Sequence, residues 1–327
     1  MNVLESSTNT FASEKQEENI PEFIMLVGLP ASGKSTWAKE SDYNNIFSSD
    51  AIREELFHGE YDKEQNSTVF KILHRRVKNC LIEGKSCVYD ATNLSSKRRR
   101  SFLQDISRIK CHKRCIIFAT SYEECVDRNA KRDNRVPIDA VWDMYKSFDF
   151  PMWCEGWDSI SILWDTESVE KSDTVVEAVR CVKNYDQNNS HHSLTLGEHL
   201  LRVGEYARDM GDAEFGEIRW GTVLGYAGLL HDIRKPKVAS GFNSRGELTD
   251  EYHYYDHEHI SAYDAMFILK KSGVSTWYII EVCTLISLHM HFYTWTLDKT
   301  KERYKRIWGE DLYRRVKILH DADMAAR

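Results

Sequence analysis

Residues 23–36, FIMLVGLPASGKST, constrain this chain more than any other stretch. Five apolar residues, Phe23 to Val27, read as a buried strand. They run directly into Gly28, four further residues, Gly33, Lys34, Ser35 and Thr36, which is the full G-x-x-x-x-G-K-[ST] spacing, and a helical run follows. Each residue type has a physical reason. Gly28 and Gly33 let the backbone turn and bring N–H groups up to phosphate oxygens, while the next helix points its positive end at the same anion. Lys34 can reach β- and γ-phosphates, and the Ser35 hydroxyl can hold Mg²⁺. ATP with Mg²⁺ is therefore expected on Gly28, Gly33, Lys34, Ser35 and Thr36. This stretch alone leaves the acceptor open among water, a small molecule, a protein and a nucleic-acid end.

Strand and helix alternate from there. IFSSD (46–50) reads as a short strand ending in Asp50, and AIREEL (51–56) as a helix. Residues 64–83 place Val69, Ile72, Leu73, Val77, Cys80 and Leu81 at helical spacing. CVYD (87–90) is a strand ending in Asp90, and a helix begins at Lys97 to Arg100. CIIFAT (115–120) is the next strand, and the helix 121–132 runs into DRNAKRDNRVP, which crowds Arg128, Lys131, Arg132 and Arg135 before Pro137. This alternation predicts an α/β domain with a parallel sheet flanked by helices. A carboxylate just past a strand end beside a phosphate loop suits acid/base work or Mg²⁺, although Asp50 could equally cap the helix after it. The run Lys97 to Arg100, taken alone, reads as a solvated helix face.

With 327 residues there is room for two cores. The polar residues 1–20 read as a disordered tail without the apolar region of a signal peptide, and no apolar run approaches the roughly 20 residues of a membrane span. Eight cysteines with no C-x-x-C pair suggest reduced thiols and a cytoplasmic setting, with Cys111 and Cys115 as buried thiols. The formal charge of −7 argues against a broad basic sheath for long nucleic acid and leaves room for a short basic groove.

GLPASGKSTWA, SSDAIR, DATNL with its basic run, and RNAKRDNRVPIDAVWDMYKS together resemble the kinase domain of phage-type 5′-polynucleotide kinases over roughly residues 22–150. The resemblance implies that Lys34 and Ser35 hold the ATP phosphates and Mg²⁺. It further implies that Asp50 is the general base on a 5′-hydroxyl, that Arg53 and Asp90 serve the acceptor, and that Arg132 in a lid neutralises transition-state charge. At Asp90-Ala91-Thr92-Asn93 the family has Asp-Thr-Asn, so one extra residue stands here. The Asp-x-Asp phosphatase that follows in the best-known members is not found. Residues 151–165 bring Trp153, Trp157 and the strand-like ISILWD, and a polar stretch with one amphipathic helix, 166–190, is taken as a linker between domains 21–165 and 191–327.

The second domain holds ten of the thirteen histidines. His199 sits in an amphipathic helix, His231-Asp232 follows the apolar YAGLL, His257 lies where a helix starts, His289 ends an apolar run, and Asp323 lies near the C-terminal end. Mixed His/Asp sets bind Mn²⁺, Fe, Ni²⁺ or Mg²⁺ and argue against a structural Cys-zinc site. In its flanking text, GEH, GLLHDI, DHEHISA, LHM and ADMAA, the ordered set resembles the HD phosphohydrolase superfamily, an all-α fold. That resemblance implies a first metal on His199, His231, Asp232 and Asp323 and a second on His257 and His289, with Asp321 as the alternative to Asp323. One or two transition-metal ions would then activate water against a phosphate ester. Lys235 could meet the substrate phosphate.

The two resemblances together imply an end-healing enzyme. Its kinase would phosphorylate 5′-OH ends of RNA or DNA with ATP, and its HD domain would remove 3′-phosphate or 2′,3′-cyclic phosphate. No Lys-x-Asp-Gly motif is present, so the partner that joins healed ends would be a separate nucleic-acid ligase. The alternatives are a nucleoside or small-metabolite kinase fused to an HD nucleotidase, and a non-catalytic RNA-end-binding protein.

Overall fold

The computed structural model describes residues 20–58, 65–190 and 193–327. The tail expected over 1–20 thus lies outside the described residues, apart from Ile20.

Strand β1 (Glu22–Val27) is the centre of a five-stranded sheet with β2 (Ile46–Ser48), β3 (Cys87–Asp90), β4 (His112–Ala119) and β5 (Ser159–Trp164), in the order β2-β3-β1-β4-β5. Every pairing is parallel, as the alternating pattern predicted. Phe23 to Val27 are buried on both sheet faces, which is why they read as a continuous apolar run. Helices α1 (Lys34–Glu40), α2 (Ser49–Phe57), α3 (Asn66–Ile82), α4 (Ser96–Asp105), α5 (Tyr122–Ala130) and α6 (Ile138–Lys146) make the crossovers and cover the sheet. Sheet order puts the carboxyl ends of β1 and β3 side by side. The phosphate loop and Asp90 therefore come together at one edge, where ligands of open α/β sheets bind.

One local expectation is corrected. β2 stops at Ser48 and not at Asp50; the Ser48 hydroxyl accepts from the Asp50 amide as the cap of α2, and Asp50 lies in that helix's first turn. Its carboxylate is thereby left for other work.

Residues 166–190 contain two short helices, α7 (Thr166–Glu170) and α8 (Val175–Cys181), each started by a side-chain cap from Asp165 or Thr174. The rest is helical: α9 (Leu196–Phe215), α10 (Ile218–Leu230), α11 (Lys235–Val238), α12 (His257–Lys271), α13 (Thr276–Leu288), α14 (His291–Thr294), α15 (Asp298–Trp308) and α16 (Glu310–Ala325). The expected all-α domain is interrupted only by an antiparallel hairpin, β6 (Ser240–Phe242) with β7 (Leu248–His253), among the described residues. Helices α9 and α10 pack unusually close. A Cβ at Gly228 would stand 2.7 Å from the Val203 carbonyl and 2.8 Å from Gly204 Cα, so only glycine allows this crossing.

The halves share one apolar core. Helix α12 is the seam. Tyr263 stacks edge-on against Tyr145 and Phe148 and donates through its hydroxyl to the Thr120 carbonyl at 2.6 Å. Asp264 takes hydrogen bonds from Tyr145 (2.5 Å) and Arg234 (2.6 Å), and Lys237 pairs with Glu123 at 2.8 Å.

Candidate active sites

The phosphate loop opens a cavity of about 1620 Å³ lined by Lys34, Ser35, Thr36, Asp50, Arg53, Asp90 and Arg132, among others. All of the kinase residues singled out in the sequence meet there except Gly28, which lies beneath. Gly33 precedes α1 with φ at +94°, a conformation costly for any side chain. Lys34 is buried, and its ammonium donates to the carbonyls of Gly28 (3.0 Å) and Leu29 (2.6 Å) and to the Ser32 hydroxyl (3.1 Å). Burial pulls its pKa down to about 8 against the opposing pull of Asp90 and Asp50. A polyphosphate would supply the charge this ammonium lacks.

Asp90 sits at the buried end of β3 and accepts from the Ser35 hydroxyl at 2.8 Å. Burial pushes its carboxyl up, although Ser35 and Lys34 oppose the shift. Three residues on, Asn93 takes φ at +50° and donates to the Leu26 carbonyl at 2.7 Å. Asp50, 74% exposed at its side chain, pairs with Arg53 at 2.5 Å, and Arg53 also bonds Asn66 and Ser49. Acid and guanidinium therefore hold each other at the cavity wall. Of the other cations before Pro137, Arg128 is tied to Glu124 and Asp165, whereas Arg132 is exposed on the cavity rim.

The second site is built from five helices. His199 comes from α9, His231 and Asp232 from the end of α10, His257 from the start of α12, His289 from the end of α13, and Asp323 from α16. All six are buried. Asp232 bridges two histidine groups: Oδ2 is 3.2 Å from His231 Nε2 and 3.7 Å from His199 Nε2, while Oδ1 is 3.0 Å from His257 Nε2 and 3.6 Å from His289 Nε2. Asp323 Oδ1 lies 3.2 Å from His199 Nε2. Asp321, the alternative, points elsewhere and pairs with Lys317 at 2.5 Å.

Three imidazoles are fixed from behind. Nδ1 of His231, His257 and His289 lies 2.9, 2.6 and 2.7 Å from the carbonyls of Gly228, Tyr254 and Ile286. A carbonyl only accepts, so each Nδ1 carries a proton and each Nε2 faces inward, where it can ligate an ion once unprotonated. His231 Nε2, Asp232 Oδ1 and Asp323 Oδ1 are buried polar atoms with no hydrogen-bond partner. Such orphaned donors fit one or two divalent ions, and their mixed nitrogen and oxygen chemistry fits a catalytic metal better than a structural one. Burial would raise the Asp232 and Asp323 carboxyls. His231, Lys235 and His257 around Asp232, and His199 and His231 around Asp323, outweigh it and hold both well below the ordinary carboxylate range.

Sequence reasoning missed Tyr293, Tyr254 and Gln187 behind this cluster, and it gave Lys235 to a substrate phosphate where the structure ties it to Asp232. Tyr293 donates to Asp323 Oδ2 at 2.5 Å. Lys235 is buried 2.6 Å from Asp232 Oδ2 and 3.0 Å from Gln187 Oε1. Tyr254 donates to the Gln187 carbonyl, and its ring lies 5.4 Å from the Lys235 ammonium. Nothing local in the sequence marks Gln187, which is brought in by the segment between the two halves.

Comparison with known proteins finds two separate family matches along the chain. Residues 23–151 match the AAA domain family and residues 196–327 the HD domain family. An L-seryl-tRNA(Sec) kinase of Methanococcus maripaludis is 26% identical over 175 residues, which is 49% of this chain and 66% of that protein. Among solved structures, a chain of a Pnkp1/Rnl/Hen1 complex shares 25% identity over 36% of this chain and 41% of its own, with a TM-score of 0.30. A candidate kinase from Chloroflexus aurantiacus shares 22% over 49% of this chain and 97% of its own, at 0.38. The chain spans just under two thirds of the curated relative and under half of the first of these structures. The family matches, together with the two clusters above, show a P-loop kinase domain joined to an HD domain in one chain.

Proposed function

We propose that the chain heals nucleic-acid ends, phosphorylating a 5′-hydroxyl with ATP at one site and removing a 3′-phosphate or 2′,3′-cyclic phosphate at the other. The carrying observation is the kinase cavity. At about 1620 Å³ it exceeds the roughly 300–1,000 Å³ typical of one ligand, and its wall holds a ready acid and cation, Asp50 and Arg53. The cavity therefore has room for a triphosphate and a second, anionic substrate. The seryl-tRNA kinase relative supports an acceptor hydroxyl carried by RNA.

In this reading the acceptor's neighbouring phosphate draws Arg53 away from Asp50. Asp50 then accepts the 5′-hydroxyl proton while that oxygen attacks the γ-phosphorus, and the bond to the β-phosphate oxygen breaks to release ADP. Lys34 and Arg132 neutralise the charge that builds on the transferred group, which is most of what such catalysis requires. Asp90 holds the Ser35 hydroxyl where Mg²⁺ would sit.

In the HD domain, His199, His231, Asp232 and Asp323 would hold one divalent ion and His257 and His289, with Asp232, a second. The ions would supply Lewis acidity and a lowered pKa of bound water. Tyr293 occupies the outward oxygen of Asp323 and leaves Oδ1 toward His199, while Lys235 holds Asp232 through Oδ2, the oxygen that also faces His231 and His199.

An end-group assay tests the reading. An oligoribonucleotide with 5′-OH and 2′,3′-cyclic phosphate is incubated with ATP, Mg²⁺ and Mn²⁺, beside 3′-phosphate, 2′-phosphate and DNA versions. Conversion of both ends is the expected result. Conversion of the 5′ end alone would leave the HD domain to another phosphoester. ATP turnover only with added nucleosides would replace the reading with a metabolite kinase fused to a nucleotidase.

A further inference from the structure

Two helices, one in each half of the chain, carry exposed cations without an acid partner among the described residues, and both pack on one 3-10 turn. Helix α15, DKTKERYKRIW, carries five cations against two acids. Among the described residues Lys301 pairs with Asp298 and Lys305 with Glu310, but Lys299, Arg303 and Arg306 are exposed and have no carboxylate within ion-pair distance. The opposite face of α15 sets Tyr304 and Trp308 against Trp295 and His291, at ring distances of 4.5 to 5.6 Å. An aromatic cluster, not ion pairing, therefore holds the helix in place.

Helix α4 supplies the other half. Its Arg99 is buried on Glu155 at 2.6 Å and on the carbonyls of Asn93, Leu94 and Asp149. So one member of the Lys97–Arg100 run is structural, which corrects the reading of the run as a solvated face. Lys97 and Arg98 remain exposed without an acid partner among the described residues. The Arg99 pair fixes α4 against a 3-10 turn, Trp153–Glu155, and α15 packs on the same turn from the other domain. Trp153 is exposed there, between the two basic helices.

Each helix is tied to one of the two sites. Helix α4 begins at Ser96, four residues after Thr92 of the kinase cavity wall. Tyr304 of α15 packs on His291, two residues beyond His289.

We propose that α4, Trp153 and α15 form a track for a single-stranded nucleic acid. Lys97, Arg98, Lys299, Arg303 and Arg306 contact phosphates, and Trp153 offers a ring for base stacking. Cations interleaved with an aromatic ring are the chemistry of sequence-tolerant single-strand binding. The proposal rests on the proposed function and adds where the body of the strand lies.

The test pairs a charge-reversed triple variant, Lys299→Glu with Arg303→Glu and Arg306→Glu, with Lys97→Glu/Arg98→Glu. None of these residues lines the kinase cavity or the metal cluster, and thermal melts check that both variants fold. Two acceptors are compared, a 20-nucleotide 5′-OH strand and a nucleoside 3′-phosphate. The expected result is a KM for the strand raised about tenfold or more in each variant, with the nucleoside 3′-phosphate unaffected. The salt slope of strand binding, read by fluorescence anisotropy without ATP, should fall by about 2 in the triple variant. Wild-type strand binding and KM in both variants would overturn the track. Equal losses on both acceptors would overturn it too, since the residues would then act at the site itself. If the wild type phosphorylates neither acceptor, the proposed function fails, and anisotropy still decides whether the face binds the strand.

Discussion

The Tyr145 hydroxyl donates to Asp264 Oδ1 at 2.5 Å, joining the helix behind the Arg132 loop to the helix that begins with His257. Arg234, two residues after Asp232, closes on the other oxygen of the same carboxylate. Tyr145→Phe should cost about 1–2 kcal/mol. Asp264→Ala should cost about 3 kcal/mol or more, because it strands Arg234 beside a buried site. Urea titrations check both values, and the double variant should lose less than the sum. Burial would raise the Asp264 carboxyl, but Arg234 and Lys237 hold it below its ordinary 3.8. The folded chain thus binds this proton more weakly than the unfolded one. The stability Asp264 lends is complete above about pH 4 and is lost as pH falls through the lowered pKa.

Lys34→Ala and Asp50→Ala should each silence phosphorylation while leaving phosphoester hydrolysis at wild-type rates. For Asp50 the expected loss in kcat is about 10²–10⁴-fold, the usual worth of a positioned base. Assaying both ends of one labelled strand reads the two activities together. Full kinase activity in Asp50→Ala would show that another group takes the proton.

Asp232→Ala should do the reverse, ending hydrolysis and sparing phosphorylation, because Asp232 alone faces both histidine groups. Elemental analysis of purified protein should find a transition metal in the wild type and a loss in the variant. Chelation should lower the melting temperature of the wild type, since an ion that binds only the folded chain stabilises it. An unchanged metal content would remove Asp232 from the ligand set.

Nucleotide binding should carry a proton signature. The Lys34 pKa is drawn to about 8 by burial, and a bound triphosphate would return it toward 10.5. Binding between those values must take up a proton, so affinity falls as pH rises through that window. Calorimetry in two buffers of different ionisation enthalpy measures the uptake, and Lys34→Met should abolish it. Equal apparent heats in the two buffers would rule it out.

The sheet was legible because β1 and β4 are buried on both faces and β3 is buried throughout, and such strands announce themselves as apolar runs. Asp50 was misplaced by two residues because Ser48, not the acid, caps α2. The hairpin β6–β7 was invisible. Its strands hold little apolar sequence, and the Tyr252 amide and the Tyr252 and Asp250 carbonyls are paired instead with Asn188 and Asn189. The six His and Asp ligand candidates were readable as an ordered set. Gln187 and Tyr293 were not, since what marks them is proximity in space alone. Arg99 shows the same limit from the other side. Within a run of four cations nothing local distinguishes the one whose partner, Glu155, stands 56 residues away.

Helix α12 also decides how the protein can be taken apart. One of its faces carries Tyr263 into the ring cluster of Tyr145 and Phe148, and its first residue is a ligand candidate of the second site. A cut anywhere between residues 165 and 190 would bare that aromatic seam on both fragments and expose Asp264 and Arg234 without Tyr145. Neither half is a self-sufficient body, so isolated fragments would report on exposed apolar surface rather than on chemistry. A change on one side of α12 is felt on the other, because the same helix packs on Tyr145 of α6 and begins with His257.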